Sequence, residues 1–183
     1  MKNTLSHYGW ITISLHWLVA VTVIGLFSLG YWMVDLGYYD PWYKQGPDLH
    51  KSIGILLFIV MIIRVVGLYF QIKPEALNSH THVEKKIGNI VHVFLYSALF
   101  VLMISGYLIS TADGRAIEVF NLISLPSLGE LFTDQEDLSG IVHKYLAYAL
   151  MVTVILHALA ALKHHFIDRD NTLLRMLGSR NSE

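Results

Sequence analysis

Two histidines, His143 and His157, stand fourteen residues apart inside one long apolar run, 138–166. On a helix that spacing is about 3.9 turns, so the two rings lie only ~40° apart around the axis and ~21 Å apart along it. One face of one membrane-length helix thus offers an imidazole near each end. Ionisable groups at such depth are costly and are usually retained for function. Neutral imidazole is the commonest nitrogen ligand for metals and haem. The competing reading is a histidine satisfied by a neighbouring backbone carbonyl, which suits either ring alone better than it suits the stacked pair.

The rest of the chain must position partners for these rings. It has 183 residues, 54% hydrophobic and 15% charged, the profile of a membrane protein. A net charge of −1 offers no basic field for nucleic acid. Cysteine is absent, which excludes disulfides, thiolate-held iron–sulfur clusters, Cys-ligated zinc and covalent c-type haem within the chain. Ten histidines are then the main chemical resource. The first apolar run has no small-residue cleavage site after it and reads as a retained span. Apolar segments at roughly 11–34, 50–70, 87–110 and 138–166 each approach the ~20 residues of a spanning helix. The expected fold is an all-α, four-transmembrane-helix bundle forming a single domain over 1–183.

Four spans put both termini on one side. Lys2, Lys73, Lys85, Lys86, Lys163, Arg169, Arg175 and Arg180 fall on that side, while Lys44 and Arg115 lie in the opposite connections among many acidic residues. The positive-inside rule makes both termini cytoplasmic. Tyr38, Tyr39, Trp42 and Tyr43 read as an aromatic belt on the outer side. The connection 111–137, broken by Pro126, is expected to lie at the interface as a short amphipathic element capping the bundle.

Topology converts the histidines into levels. His50 and His143 both fall at the outer end, an almost forced pair. At the inner level His157 meets either His16 or His92, and spacing does not choose. Two imidazoles facing across a bundle suit a six-coordinate b-type haem, and two stacked haems would form a wire across the bilayer. Zinc wants four ligands, and no carboxylates sit at matching depth. Arg64, inside the second span, either snorkels to the surface or pairs with an anion, for which an inner-haem propionate is the best candidate. Lys51, Lys144 and Arg115 can neutralise propionates or attract an anionic donor, or act only as interfacial anchors. His164 and Lys163 form either a solvated end or a source of protons for a quinone. Gly25, Gly30, Gly54, Gly88 and Gly106 allow close approach of helices or of a bulky ring.

SLHW at 14–17, LHKSIGILL at 49–57 with Arg64 beyond it, SGYLIS at 105–110, VHKY at 142–145 and LHALAALKHHFIDRDNTLLRML at 156–177 occur in this order. Together they resemble the bacterial cytochrome b561 family over nearly the whole chain. The resemblance implies a multi-pass bacterial inner-membrane protein with two b haems, ligated at His16, His50, His143 and His157. It further implies oxidation of superoxide on the outer side, with Lys51, Lys144 and Arg115 steering it. Ubiquinone would be reduced beside His164 and Lys163, and a homodimer is allowed. Related four-helix cytochromes serve as quinone-linked anchor subunits of dehydrogenases and hydrogenases, which is the alternative. A histidine-lined metal transporter without haem is the third reading.

Overall fold

Helices form where the sequence is apolar on every face, and they start where a polar side chain can hold the first free N–H groups. In a computed structural model describing residues 2–77 and 79–179, α1 spans Trp10–Met33, α2 Trp42–Phe70, α3 His82–Thr111, α4 Gln135–Phe166 and α5 Thr172–Met176. Arg180, counted in the charge balance above, lies outside the described residues. All four long helices have the length and composition to cross a membrane.

The helix starts are individually built. Asn3, buried, accepts hydrogen bonds from the Gly9 N–H at 2.7 Å and the Thr12 hydroxyl at 2.9 Å, fixing the entry to α1. Asp40 Oδ1 accepts from the Trp42 N–H at 2.8 Å and starts α2 about two turns before the apolar run expected from residue 50. Pro47 is carried inside this helix, past the first turn, so the Tyr43 carbonyl four residues earlier lacks its usual helical donor. His50 consequently sits within α2 and not at its end. Thr81 and Glu84 form a reciprocal capping box at the start of α3. The buried Gln135 accepts from the Leu131 N–H at 2.7 Å and donates to the Leu108 carbonyl at 2.9 Å, tying the start of α4 to α3.

The connection 111–137 caps the bundle as a small β-hairpin. Strands β1, Ile117–Val119, and β2, Ile123–Leu125, pair antiparallel with Ile117 opposite Leu125 and Val119 opposite Ile123. Ile117 and Val119 turn inward and Glu118 outward. The turn uses two consecutive left-handed residues, Phe120 and Asn121, closed by a hydrogen bond from Leu122 N–H to the Val119 carbonyl. Ser52 of α2 anchors the hairpin, accepting from the Phe120 N–H at 3.0 Å.

Packing pairs α1 with α2 and α3 with α4, with α2 against α3, whereas α1 approaches α4 at few points. The first and last described residues lie at one end, where the Trp17 indole N–H donates to the Met176 carbonyl at 2.8 Å and docks α5 onto α1. The buried core, Val19, Val23, Leu57, Met61, Ala98, Leu99, Leu102 and Leu150, occupies the middle of the bundle. Leu150 stands midway in sequence between His143 and His157, so this apolar layer separates the two histidine levels. The outward faces remain apolar too, with Val21, Ile63, Val93 and Leu156 exposed, as lipid contact requires.

Candidate functional site

At the hairpin end, α2 and α4 bring His50 and His143 together with ring centroids 6.2 Å apart and planes at 67°. At the termini end, α1 and α4 bring His16 and His157 to 6.4 Å and 62°. These separations can be tested against ligation. An imidazole nitrogen lies about 1.1 Å from its ring centroid and a metal–imidazole bond is about 2.0 Å, so two rings in line across one metal stand about 6.2 Å apart. Both pairs stand near that separation, and both bridge between α4 and the α1–α2 pair of helices. His92 of α3 also reaches His157, at 5.4 Å between centroids. His92 thus shares the termini-end level with His16 and His157, its ring closer to His157 than the ~6.2 Å that a metal between two rings would require.

The rings at the hairpin end are held in place from behind. His143 Nδ1 lies 3.0 Å from the Leu102 carbonyl and 3.1 Å from Ser105 Oγ. A carbonyl only accepts, so Nδ1 carries the proton and Nε2 keeps its lone pair for a metal. A Cβ on Gly106 would stand 3.3 Å from His143 Cε1, and one on Gly30 would stand 3.1 Å from His50 Cε1. The two glycines therefore serve the two histidines, a specific use that the sequence showed only as general close packing.

The termini-end pair is controlled by Arg64. Its Nε donates to Tyr96 Oη at 2.7 Å, its Nη2 contacts His16 Nδ1 at 3.0 Å, and the Leu15 carbonyl lies at 3.5 Å from Nη1. Guanidinium is donor only, so His16 Nδ1 accepts and the ring proton sits on Nε2. Arg64 is thus paired with neutral groups of the bundle and is half-buried. Tyr96, which also stacks beneath the guanidinium at 5.5 Å, carries no sequence signal beyond its position one turn after His92.

The charged candidates fall into two groups. At the hairpin end Lys51 pairs with Asp48 at 2.8 Å, and Arg115 pairs with Asp113 through Nη2 and through Nε. Hydrogen bonds from the Arg115 side chain and backbone hold the Asp113 carboxyl below the usual carboxylate range. Lys144 is exposed near the start of α4. At the termini end Lys163 bridges Glu84 at 2.8 Å and Asp168 at 2.7 Å. His164 faces Asp168, Asp170 and His80, the last of which sequence reasoning did not single out.

Paired imidazoles at two depths of a four-helix apolar bundle, without a carboxylate among them, suit a membrane electron carrier of the cytochrome b class. Residues 7–179 match the family model described as prokaryotic cytochrome b561. The chain is 46% identical over 181 residues to "Cytochrome b561 homolog 2" of Escherichia coli (strain K12), covering 99% of this chain and 96% of the relative. It is 31% identical over 175 residues to "Probable superoxide oxidase CybB" of Yersinia pestis, covering 93% and 95%. "Cytochrome b561 homolog 1" of E. coli matches at 23% over 178 residues. The chain belongs to the prokaryotic cytochrome b561 family, and it is a membrane electron-transfer protein with b-type haem chemistry.

Proposed function

We propose that this chain holds two b haems and carries electrons from superoxide on the periplasmic side to ubiquinone, in the bacterial inner membrane with both termini cytoplasmic. The observation that carries the reading is the matched pair of ring separations, 6.2 and 6.4 Å, at opposite ends of one bundle. His50 and His143 would ligate the outer haem and His16 and His157 the inner one. Bis-imidazole haem supplies a one-electron centre with no open coordination position.

The chain's residues set the rest. Ser105 and the Leu102 carbonyl fix the His143 tautomer, while Gly30 and Gly106 leave the imidazoles room to face each other. The buried layer around Leu150 and Met61 keeps water from the middle of the path. Arg64 has to release His16 Nδ1 for that ring to ligate through Nε2, and an inner-haem propionate is the acceptor that would take the guanidinium. Lys51, Lys144 and Arg115 would attract superoxide, with Lys144 contributing most because Asp48 and Asp113 offset the other two. His164 and Lys163 would supply protons at the quinone end. In balance, two superoxide ions each lose one electron to become O2, and one ubiquinone takes two electrons and two protons to become ubiquinol.

Support for superoxide comes from the name of the Yersinia relative and from the outward-facing cations, and support for the orientation from the distribution of Lys and Arg. The test is superoxide-driven ubiquinol formation by the purified protein in detergent, with no partner protein. The reading predicts turnover that is lost in His143→Ala. Reduction that occurs only when a dehydrogenase is supplied would replace it with the anchor-subunit reading.

A further inference from the structure

Three segments that are remote in sequence converge at the termini end: the connection before α3, the last turn of α4, and the link from α4 to α5. They bring His80, His164 and Asp170 together, with the donor atoms of all three within 4.8 Å of one another. His80 Nε2 is 3.1 Å from Asp170 Oδ2, and His164 Nδ1 is 3.5 Å from the same oxygen. For a tetrahedral zinc ion with bonds of about 2.0–2.1 Å, two ligand atoms stand about 3.3–3.4 Å apart. The observed edges bracket that value.

The donors are built in. The Asp170 side chain is 7% exposed, His164 13% and His80 18%. Asp170 is oriented by its neighbours, since Oδ1 accepts from the Thr172 N–H at 2.8 Å and Oδ2 accepts from the Ser79 hydroxyl at 3.1 Å. Such outer contacts fix metal ligands in place. His164 Nδ1 adds a separate sign. It is buried and lies 2.7 Å from Asp168 Oδ2 and 3.5 Å from Asp170 Oδ2, yet it makes no hydrogen bond of acceptable geometry with either. His80 Nε2 bonds to that Asp170 oxygen at 3.1 Å and to Thr172 Oγ1 at 3.0 Å, whereas His164 Nδ1 converges on the same oxygen without a hydrogen bond to satisfy it.

We infer that His80, His164 and Asp170 form a binding site for a divalent transition-metal ion of the zinc type, with the fourth position open to water or to Asp168. Two imidazoles and one carboxylate suit zinc; calcium and magnesium prefer an all-oxygen shell. Lys163 already holds Asp168 and Glu84, so the three-ligand set is the primary one. Occupancy would pin the segment before α3 to the end of α4. It would also withdraw His164 from the proton role proposed above, although the site itself does not depend on that role.

The haem-loaded protein in detergent, stripped by chelator, is titrated with Zn²⁺ by calorimetry, and bound zinc is counted by elemental analysis. The site predicts one tight equivalent per chain, weakened at least tenfold by His80→Gln and by Asp170→Asn and unchanged by His82→Gln, an exposed neighbour. The haem spectrum of each variant reports that the bundle is intact. Should Asp170→Asn fail to fold, His80→Gln, in a surface connection, decides alone. No tight equivalent in the parent protein, or one that survives His80→Gln, overturns the inference.

Discussion

Gly30→Val tests whether the ring pair at the hairpin end is a ligation site. Even the first carbon of a side chain at Gly30 would stand 3.1 Å from His50 Cε1 and 3.5 Å from Nδ1. Ordinary carbon–carbon contacts are about 3.5–4.0 Å, so the imidazole must retreat by a few tenths of an ångström. Metal–ligand bonds tolerate about 0.2 Å. The ring therefore cannot absorb the push without losing its place opposite His143. Overpacking of this kind costs about 1–3 kcal/mol, or roughly a 5- to 150-fold loss in haem affinity at that level. The two branch methyls of Val place it at the upper part of that range, and Gly30→Ala at the lower. At Gly106 the contact is 3.3 Å to His143 Cε1, so Gly106→Ala should do less than Gly30→Ala. The assay is haem stoichiometry by pyridine haemochrome together with the low-spin absorption of the purified variants. The other level, His16 with His157, is the internal control and should keep its haem. Two haems of unchanged spectrum in Gly30→Val would refute the assignment of His50.

Other consequences follow from particular contacts. Arg64→Leu removes the cation beside His16 and should lower the midpoint potential of the inner centre alone, as read by redox titration, because a nearby positive charge favours the reduced form. Ser105→Ala removes one of two partners of His143 Nδ1 and should weaken the outer site by no more than about 1 kcal/mol, since the Leu102 carbonyl remains. Asp113→Asn frees Arg115 and should raise the superoxide-driven rate and steepen its salt dependence, with Lys144→Glu doing the reverse. For Asp170, burial pushes the carboxyl up, but hydrogen bonds from Thr172 and Ser79 and the neighbouring His164 outweigh it and hold the group below the usual carboxylate range. A depressed folded value means that its stabilisation is complete above the unfolded pKa of about 3.9 and is lost as pH falls through the lower folded value. Trp17 emission, which senses α5 through Met176, should change in that acid window, and Asp170→Asn should abolish this step.

Much of this arrangement was legible in the chain itself. Four apolar runs without polar stripes required four spans, and the fourteen-residue spacing of His143 and His157 required two levels. Charge distribution and depth then made His50 the partner of His143. What remained unreadable depended on relations between segments. His16 and His92 lie at the same depth on different helices, and only the lateral placement of α1 against α4 separates 6.4 Å from 5.4 Å. The 111–137 connection reads in sequence as an interfacial amphipathic cap, and it folds as a two-stranded hairpin against α2. Its two strands are three residues each and depend on Ser52, which no local pattern announces. The start of α2 at Trp42 was hidden because Pro47 and Asp48 interrupt the apolar pattern, although Asp40, just ahead of the helix, accepts from the Trp42 N–H. His80 lies in a polar connection, and its meeting with Asp170 joins residues ninety positions apart.

The central claim is that two histidine pairs each hold one haem, and counting haem in single-ligand variants tests it most directly. The parent protein should carry two low-spin b haems per chain. His143→Ala and His16→Ala should each keep only the haem at the other level, and His92→Ala should keep both. One haem in the parent protein, or two in His16→Ala with one in His92→Ala, would contradict the account.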